Sequence, residues 1–422
     1  MSVFTRSRSA KVLGAVAVAG VSAIILAGCA GSSEPAETSA APADDREDLT
    51  LSIGTVLPQS GSLAFLGPPE EAGVLLAVNE VNDAAKGLTI DLTPGDSGDA
   101  DNKAFETTVP KLQSAGVSAM IGAAASGVTK LFLDSNVSEG IITFSPANTS
   151  PDFTTWDDDG LYWRTAPSDL LQGEVLGNLI AEDGHKNIAI IYQNDAYGTG
   201  LFGVVKEVFE ASGGTVVAEA SYNDGDSSFD AQVATVTAEN PDAVVLITFD
   251  QFATIAPLLV NAGQSAENFY LVDGNLKQWG TDVAVPLEGA KGTTPGPVLE
   301  DDFQARLNDA WTADGNSDLA DFSYAAESYD AVILLALASL AANATDAAAI
   351  SGKLQEVSGG SGDGTTCTSF AECADIILEG GTADYDGYSG PVTFDENGDP
   401  TEASIGIFQF GADNMHERID TR

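Results

Sequence analysis

Few residues in this chain can do chemistry, and the chemistry they suggest is binding. The 422 residues include 2 His and 3 Cys, too few for a metal site built from several imidazoles and thiolates. His185 lies in a polar DGHKN stretch and His416 near the C-terminus, and neither has a neighbouring hydroxyl or thiol to activate. What remains is a set of groups placed after apolar runs. Ser126 in IGAAASGVTK follows such a run where a helix should start. Its hydroxyl and the free N–H groups of that turn either hold an anion or simply cap the helix. SPANTS, 145–150, offers the Ala147 N–H and the Thr149 hydroxyl in the same way, or is a Pro-containing turn. Asp273 in YLVDGN could meet an ammonium, or mark a turn. Tyr197 in NDAYGTG and Phe249 closing DAVVLITF could wall a cleft, or belong to a loop and to a core. The Gly-x-Gly after Tyr197 has no Lys and no complete phosphate fingerprint. The run Asp395–Asp399 begins like a calcium loop, but Pro400 stands where that loop needs Gly and Gly406 where it needs a bidentate Glu. No catalytic constellation, metal or cofactor is expected.

These groups need elements to hold them. From Leu49 the chain alternates short β-branched runs with longer helical patterns: LTLSIGTV, a helix opening at Pro68-Pro69-Glu70-Glu71, a strand near 88–93, a helix near 102–115, VSAMIG, a helix from about Ser126, and IITFS. After LYWRTAPSD the rhythm restarts with strands at 187–193, 215–222, 242–249 and 268–274, separated by helical patterns. Two successive β-α series predict an α/β fold of two doubly wound parallel-sheet lobes, whose strand-end loops face each other across a cleft. The segment 301–357 reads as mostly helical, with YDAVILLALASLA, 329–341, as a core helix too short and too embedded to be a membrane span. The tail from 387 reads as two strands around a turn at ENGDP.

Composition sets the setting. With 63 Asp+Glu against 17 Lys+Arg the net charge is −46, which excludes a nucleic-acid partner and an anionic membrane surface as a direct contact. The N-terminus is the exception: Arg6, Arg8 and Lys11 precede an apolar stretch ending Leu26-Ala27-Gly28-Cys29. That is the pattern of a lipoprotein signal over 1–28, with Cys29 lipidated, and residues 29–48 read as a disordered tether. Cys367 and Cys373 are left as C-x5-C, which in an exported protein reads as a disulfide closing a small loop, or as two free thiols.

The stretches IGTVLPQSG, DSGDADNKA, IGAAASGV, FSPANTS, YWRTAPSD, DAYGTG, SYDAVILLALA and YSGPVTFDENGDP occur in this order between residues 53 and 400. Together they resemble the periplasmic-binding-protein type I family, in particular the leucine/isoleucine/valine-binding receptors of ABC transporters, and the resemblance runs over residues 49–410. It implies a Venus-flytrap receptor of two lobes joined by three crossovers, near 166, 293 and 402. The lobes would then comprise 49–166 plus 294–402 and 167–293 plus 403–422. It also implies a ligand carboxylate on the Ser126 hydroxyl, the Ala147 backbone and the Thr149 hydroxyl, and a ligand ammonium near Asp273. Tyr197 and Phe249 would line the side-chain pocket, and Leu66 with Phe65 would supply the first-lobe loop that touches the ligand. One departure stands out: Ala125 occupies a position where the family often has a second Ser. The expectation is a monomeric, non-enzymatic, lipid-anchored receptor outside the cytoplasm. It would deliver a branched-chain or related amino acid to an ABC permease, with an amide, urea or other small acid as the rival ligand and sensing as the rival role.

Overall fold

A computed structural model describes residues 46–422; the signal segment, Cys29 and most of the expected tether lie outside them. Two sheets organise the chain. The first contains β1 (Leu49–Val56), β2 (Leu88–Thr93), β3 (Ala119–Gly122), β4 (Ile142–Ser145) and β5 (Tyr162–Arg164), all parallel, in the order β2-β1-β3-β4-β5. Strands buried on both faces by crossover helices read as continuous apolar runs, and β3 and β4 are buried at every position. The crossovers are α1 (Gly67–Ala84), α2 (Phe105–Ala115) and α3 (Ser126–Glu139).

The second sheet repeats the design with β6 (Asn187–Gln193), β7 (Thr215–Tyr222), β8 (Ala243–Ile247), β9 (Phe269–Leu271) and β10 (Lys291–Pro295). The helices around it are α4 (Asp169–Glu182), α5 (Ala196–Ala211), α6 (Asp230–Thr237) and α7 (Phe252–Asn261). Its order, β14-β13-β10-β9-β8-β6-β7, continues the parallel set with an antiparallel hairpin of β13 (Ile405–Phe410) and β14 (His416–Thr421). Between β10 and β13 the chain returns to the first sheet. It forms α8 (Asp301–Ala313), α9 (Ala325–Ala342), α10 (Ala347–Val357), β11 (Thr365–Cys367), α11 (Phe370–Leu378) and β12 (Ala383–Tyr385); α8, α9 and α11 pack against α1, and α10 packs on α9. Gly73 lets α1 lie directly on α9: a Cβ there would meet the Ala325 carbonyl at 2.2 Å. α9 is apolar and almost wholly buried, a core helix.

The chain therefore passes between the sheets three times, at 165–168, 296–300 and 401–404. The second passage follows Pro295, because β10 stays paired with β9 and β13. The tail differs from its sequence reading. ENGDP makes a tight turn bridged only at Phe394 and Pro400, and the real hairpin is β13–β14, where Ile405, Ile407 and Phe410 are buried. Cys367 and Cys373 are bonded to each other, with Cα atoms 5.4 Å apart, and they join the end of β11 to α11 rather than two points of a loop.

Candidate functional site

In each sheet the strand order reverses beside the first strand of its series, at β1/β3 and at β6/β8. Loops leave such a switch point in opposite directions and open a crevice at the carboxyl ends of the strands. The two crevices face each other. Leu63 and Leu66 after β1, Ala124, Ala125 and Ser126 after β3, and Ala147 after β4 meet Tyr197 after β6, Phe249 after β8, Asp273 and Gly274 after β9, and Tyr324 before α9. They line a narrow gap between the two sets of loops. The lobes are in contact across it: Leu63, Leu66 and Ala147 share one apolar cluster with Tyr197, Phe249 and Tyr324.

On the first-lobe side, loop geometry is fixed by buried polar contacts. Gly122 ends β3 at φ +115°, and a Cβ would meet the Val56 carbonyl at 2.2 Å, so only glycine lets the 123–125 turn lie over β1. Asn148 Nδ2 donates to the Ala123 and Ala124 carbonyls at 2.9 and 2.8 Å, binding that turn to the 146–150 loop. Ala125 occupies the N-cap position and Ser126 is the first residue of α3. The Ser126 hydroxyl oxygen accepts from the Ser150 N–H at 3.3 Å, so it ties two loops together rather than capping its own helix. Arg164, fully buried, donates to the Asn148 and Ser150 carbonyls and pairs with Asp399 at 2.6 and 2.8 Å.

On the other side Asp273 is the centre. Its Oδ1 accepts from the Tyr197 hydroxyl at 2.6 Å and Gln172 Nε2 at 3.0 Å, and its Oδ2 from the Tyr324 hydroxyl at 2.7 Å. Burial pushes the carboxyl up from its ordinary range, and those three donors pull it back. Tyr197 is positioned by the first turn of α5, where Asp195 caps the helix by accepting from the Gly198 N–H at 2.8 Å, and it stacks on Phe249 with centroids 5.5 Å apart.

Leu66, Ser126, Ala147, Tyr197, Phe249 and Asp273 thus line one cavity. Phe65 and Thr149 do not. Phe65 is half-buried, with the Lys277 ammonium 5.9 Å from its ring centre. The Thr149 hydroxyl is already committed to Asp169 Oδ2 at 2.9 Å, and the Thr149 carbonyl accepts from the Asp169 N–H at 2.7 Å, so this arrangement does not offer that hydroxyl to a carboxylate. Sequence reasoning missed Asp169, Gln172 and Tyr324. Asp169 is fully buried, with its Oδ1 unpartnered. Burial, and then the charge of Asp273, pushes it far above the ordinary carboxylate range. Asp169 therefore sits beside Asp273 as the more readily protonated of the two acids, with the Arg164 guanidinium acting on it from the first-lobe side. Among the described residues no group of three His, Cys, Asp or Glu could hold a metal ion.

The comparisons with known proteins agree with this architecture. The chain is 25% identical over 360 residues to the chemotactic signal transduction system substrate-binding protein BasB of Halobacterium salinarum, covering 81% of this chain and 83% of that protein. It is 30% identical over 188 residues to a leucine-, isoleucine-, valine-, threonine- and alanine-binding protein of Pseudomonas aeruginosa, covering 44% of this chain and 50% of that one. The chain spans between half and about four fifths of the length of these curated relatives. In three dimensions it is similar to the leucine-binding protein LivK of Thermotoga maritima, with a TM-score of 0.71 at 20% identity, over 88% of this chain and 98% of that one. It is also similar to a benzoate-bound solute-binding protein of R. palustris, with a TM-score of 0.67 at 19% identity, over 88% and 96%. The periplasmic binding protein family matches residues 50–410. Its members bind ligands and are not enzymes, and this chain belongs to that family.

Proposed function

We propose that the protein is an extracytoplasmic receptor that binds a branched-chain or related small amino acid between its lobes and hands it to an ABC permease. The observation that carries this reading is Asp273: a buried carboxylate, with Asp169 behind it, faces the Ser126 and Ala147 loops across an apolar gap walled by Leu66, Tyr197 and Phe249. A zwitterion needs that division, an acceptor for its ammonium, donors for its carboxylate and an apolar wall between them. The relative in Pseudomonas aeruginosa that binds leucine, isoleucine, valine, threonine and alanine supports the ligand class. Lipidation of Cys29 would hold the receptor at the membrane. The test is a thermal-shift screen of amino acids, amides and small acids: stabilisation by aliphatic amino acids supports the reading, and stabilisation by benzoate or amides alone overturns it.

A second role has one observation behind it. The relative covering most of the chain belongs to a chemotactic system, and a sensor would use the same cleft but bind a signalling partner. Uptake of labelled ligand by cells with and without the protein separates the two.

A further inference from the structure

Tyr324 stands between two spaces. It lines the cleft beside Asp273. It also lines a cavity of about 430 Å³ behind the hinge, between the second passage, Thr294–Leu299, the segment leading into α9 and the β13–β14 hairpin. Its backbone is under strain: φ is +59° and ψ 9°, the left-handed region that an aromatic residue seldom adopts and that persists only where the surroundings impose it. Two bonds hold it there. The Tyr324 carbonyl accepts from the Ser328 N–H at 3.0 Å to begin α9, and the hydroxyl donates to Asp273 Oδ2 at 2.7 Å.

The two oxygens of Asp273 are served from different sides. Oδ1 accepts from Tyr197 and Gln172, which belong to the same lobe as Asp273. Oδ2 accepts from Tyr324, which belongs to the other. Oδ2 is therefore the oxygen turned toward the opposite lobe, where a ligand between the lobes must lie. An ammonium arriving at Asp273 meets it already engaged with a neutral donor. The ammonium makes the stronger, charge-assisted bond, and the hydroxyl must give way to it. The ring has a place to go. The hinge cavity exceeds the volume of a phenol, Pro295, Phe322 and Phe408 offer it apolar walls, and Val298, 69% exposed, marks where it meets solvent. An apolar ring with a wet hydroxyl suits such a space.

On the amino-acid reading of the cleft, we propose that Tyr324 is an internal competitor for the ligand: its hydroxyl occupies the ligand-facing oxygen of Asp273 in the ligand-free protein, and ligand binding turns the ring out of the cleft into the hinge cavity. The bond that bridges the empty cleft is then the bond a ligand must break. Affinity is set by the difference between the two donors, not by the ammonium alone.

The test is calorimetric titration of the full chain and of Tyr324→Phe with L-leucine. The variant loses one oxygen and keeps the ring. A competing hydroxyl predicts leucine binding at least about fivefold tighter in Tyr324→Phe, whereas a hydroxyl that only orients Asp273 predicts weaker binding. The movement is read separately. With 9 Tyr in the chain, 3-fluorotyrosine labelling gives a fluorine spectrum in which the Tyr324 resonance is identified by its absence from Tyr324→Phe. A dissolved gadolinium chelate should broaden that resonance more with leucine bound than without, because the ring has moved to a space that meets solvent. Equal or weaker leucine binding by Tyr324→Phe, or a Tyr324 resonance no more accessible with leucine bound, overturns the gate and leaves the amino-acid reading standing. Binding by the variant alone supports the gate. Leucine binding by neither protein overturns both.

Discussion

The Tyr324 hydroxyl donates to Asp273 Oδ2 at 2.7 Å, joining the residue that enters α9 to the residue that leaves β9. The first packs with the five-stranded sheet and the second with the seven-stranded one, so this single bond crosses the cleft. Tyr197 and Gln172 hold the other oxygen. Asp273 is thus presented as an oriented acceptor whose charge is stabilised but not paired with a cation. Replacing it with Ala removes the proposed partner of a ligand ammonium in a buried site, where such a loss costs about 2 kcal/mol or more. Asp273→Ala is expected to weaken amino-acid binding at least about tenfold by calorimetry; unchanged affinity sinks the role assigned to it.

Closure is expected to respond to ligand. The apolar contacts of Leu63 and Leu66 with the second-lobe aromatics favour approach of the lobes, and a ligand adds polar bonds to both sides. Saturating amino acid should lower the radius of gyration in solution scattering, and a profile that does not move would exclude a hinged response.

Stability should carry a proton signature from Glu327. Burial, first of all, raises its carboxyl from the model-compound value of 4.5 to about 8. The folded protein therefore holds a proton that the unfolded chain releases, and stability falls as pH rises between about 4.5 and 8. The slope from this one group reaches at most about 1.4 kcal/mol per pH unit. Glu327→Gln should flatten that part of the denaturation profile; an unchanged slope would remove Glu327 as its source.

The buried pair of Arg164 and Asp399 should be costly to break and cheap to replace. Arg164→Met leaves Asp399 charged and desolvated, and the loss is expected at about 3–5 kcal/mol in chemical denaturation. The double change Arg164→Met, Asp399→Leu should recover much of it. A double variant no more stable than the single one would show that the guanidinium's bonds to the 148 and 150 carbonyls carry most of the effect.

Much of this architecture was readable because parallel strands announce themselves as apolar runs ending in short polar loops, and the doubly wound topology puts those loops on one side. Ser126, Ala147, Tyr197, Phe249 and Asp273 all sit two to four residues beyond a strand, where the apolar run gives way to a polar loop. What stayed hidden depends on distance along the chain. Nothing near Thr149 says that Asp169, twenty residues on, takes its hydroxyl. Gln172 and Tyr324 reach Asp273 from 101 and 51 residues away, and no local periodicity marks either. The calcium-like run was explained from the far side too: Asp395 Oδ1 accepts from the Asn397 and Asp399 N–H groups to form a turn, while Asp399 serves Arg164.

The triple passage between the sheets also sets a timetable. The first sheet consists of residues 49–164, but α8 to α11, which cover it, come from residues 301–378, and the carboxylate that anchors Arg164 is residue 399. During synthesis the N-terminal lobe has its strands long before it has its outer layer. It can become native only when almost the whole chain has emerged, leaving a long interval in which the polypeptide stays open. For the exported receptor proposed above, which would cross a membrane before folding, that delay would be an asset.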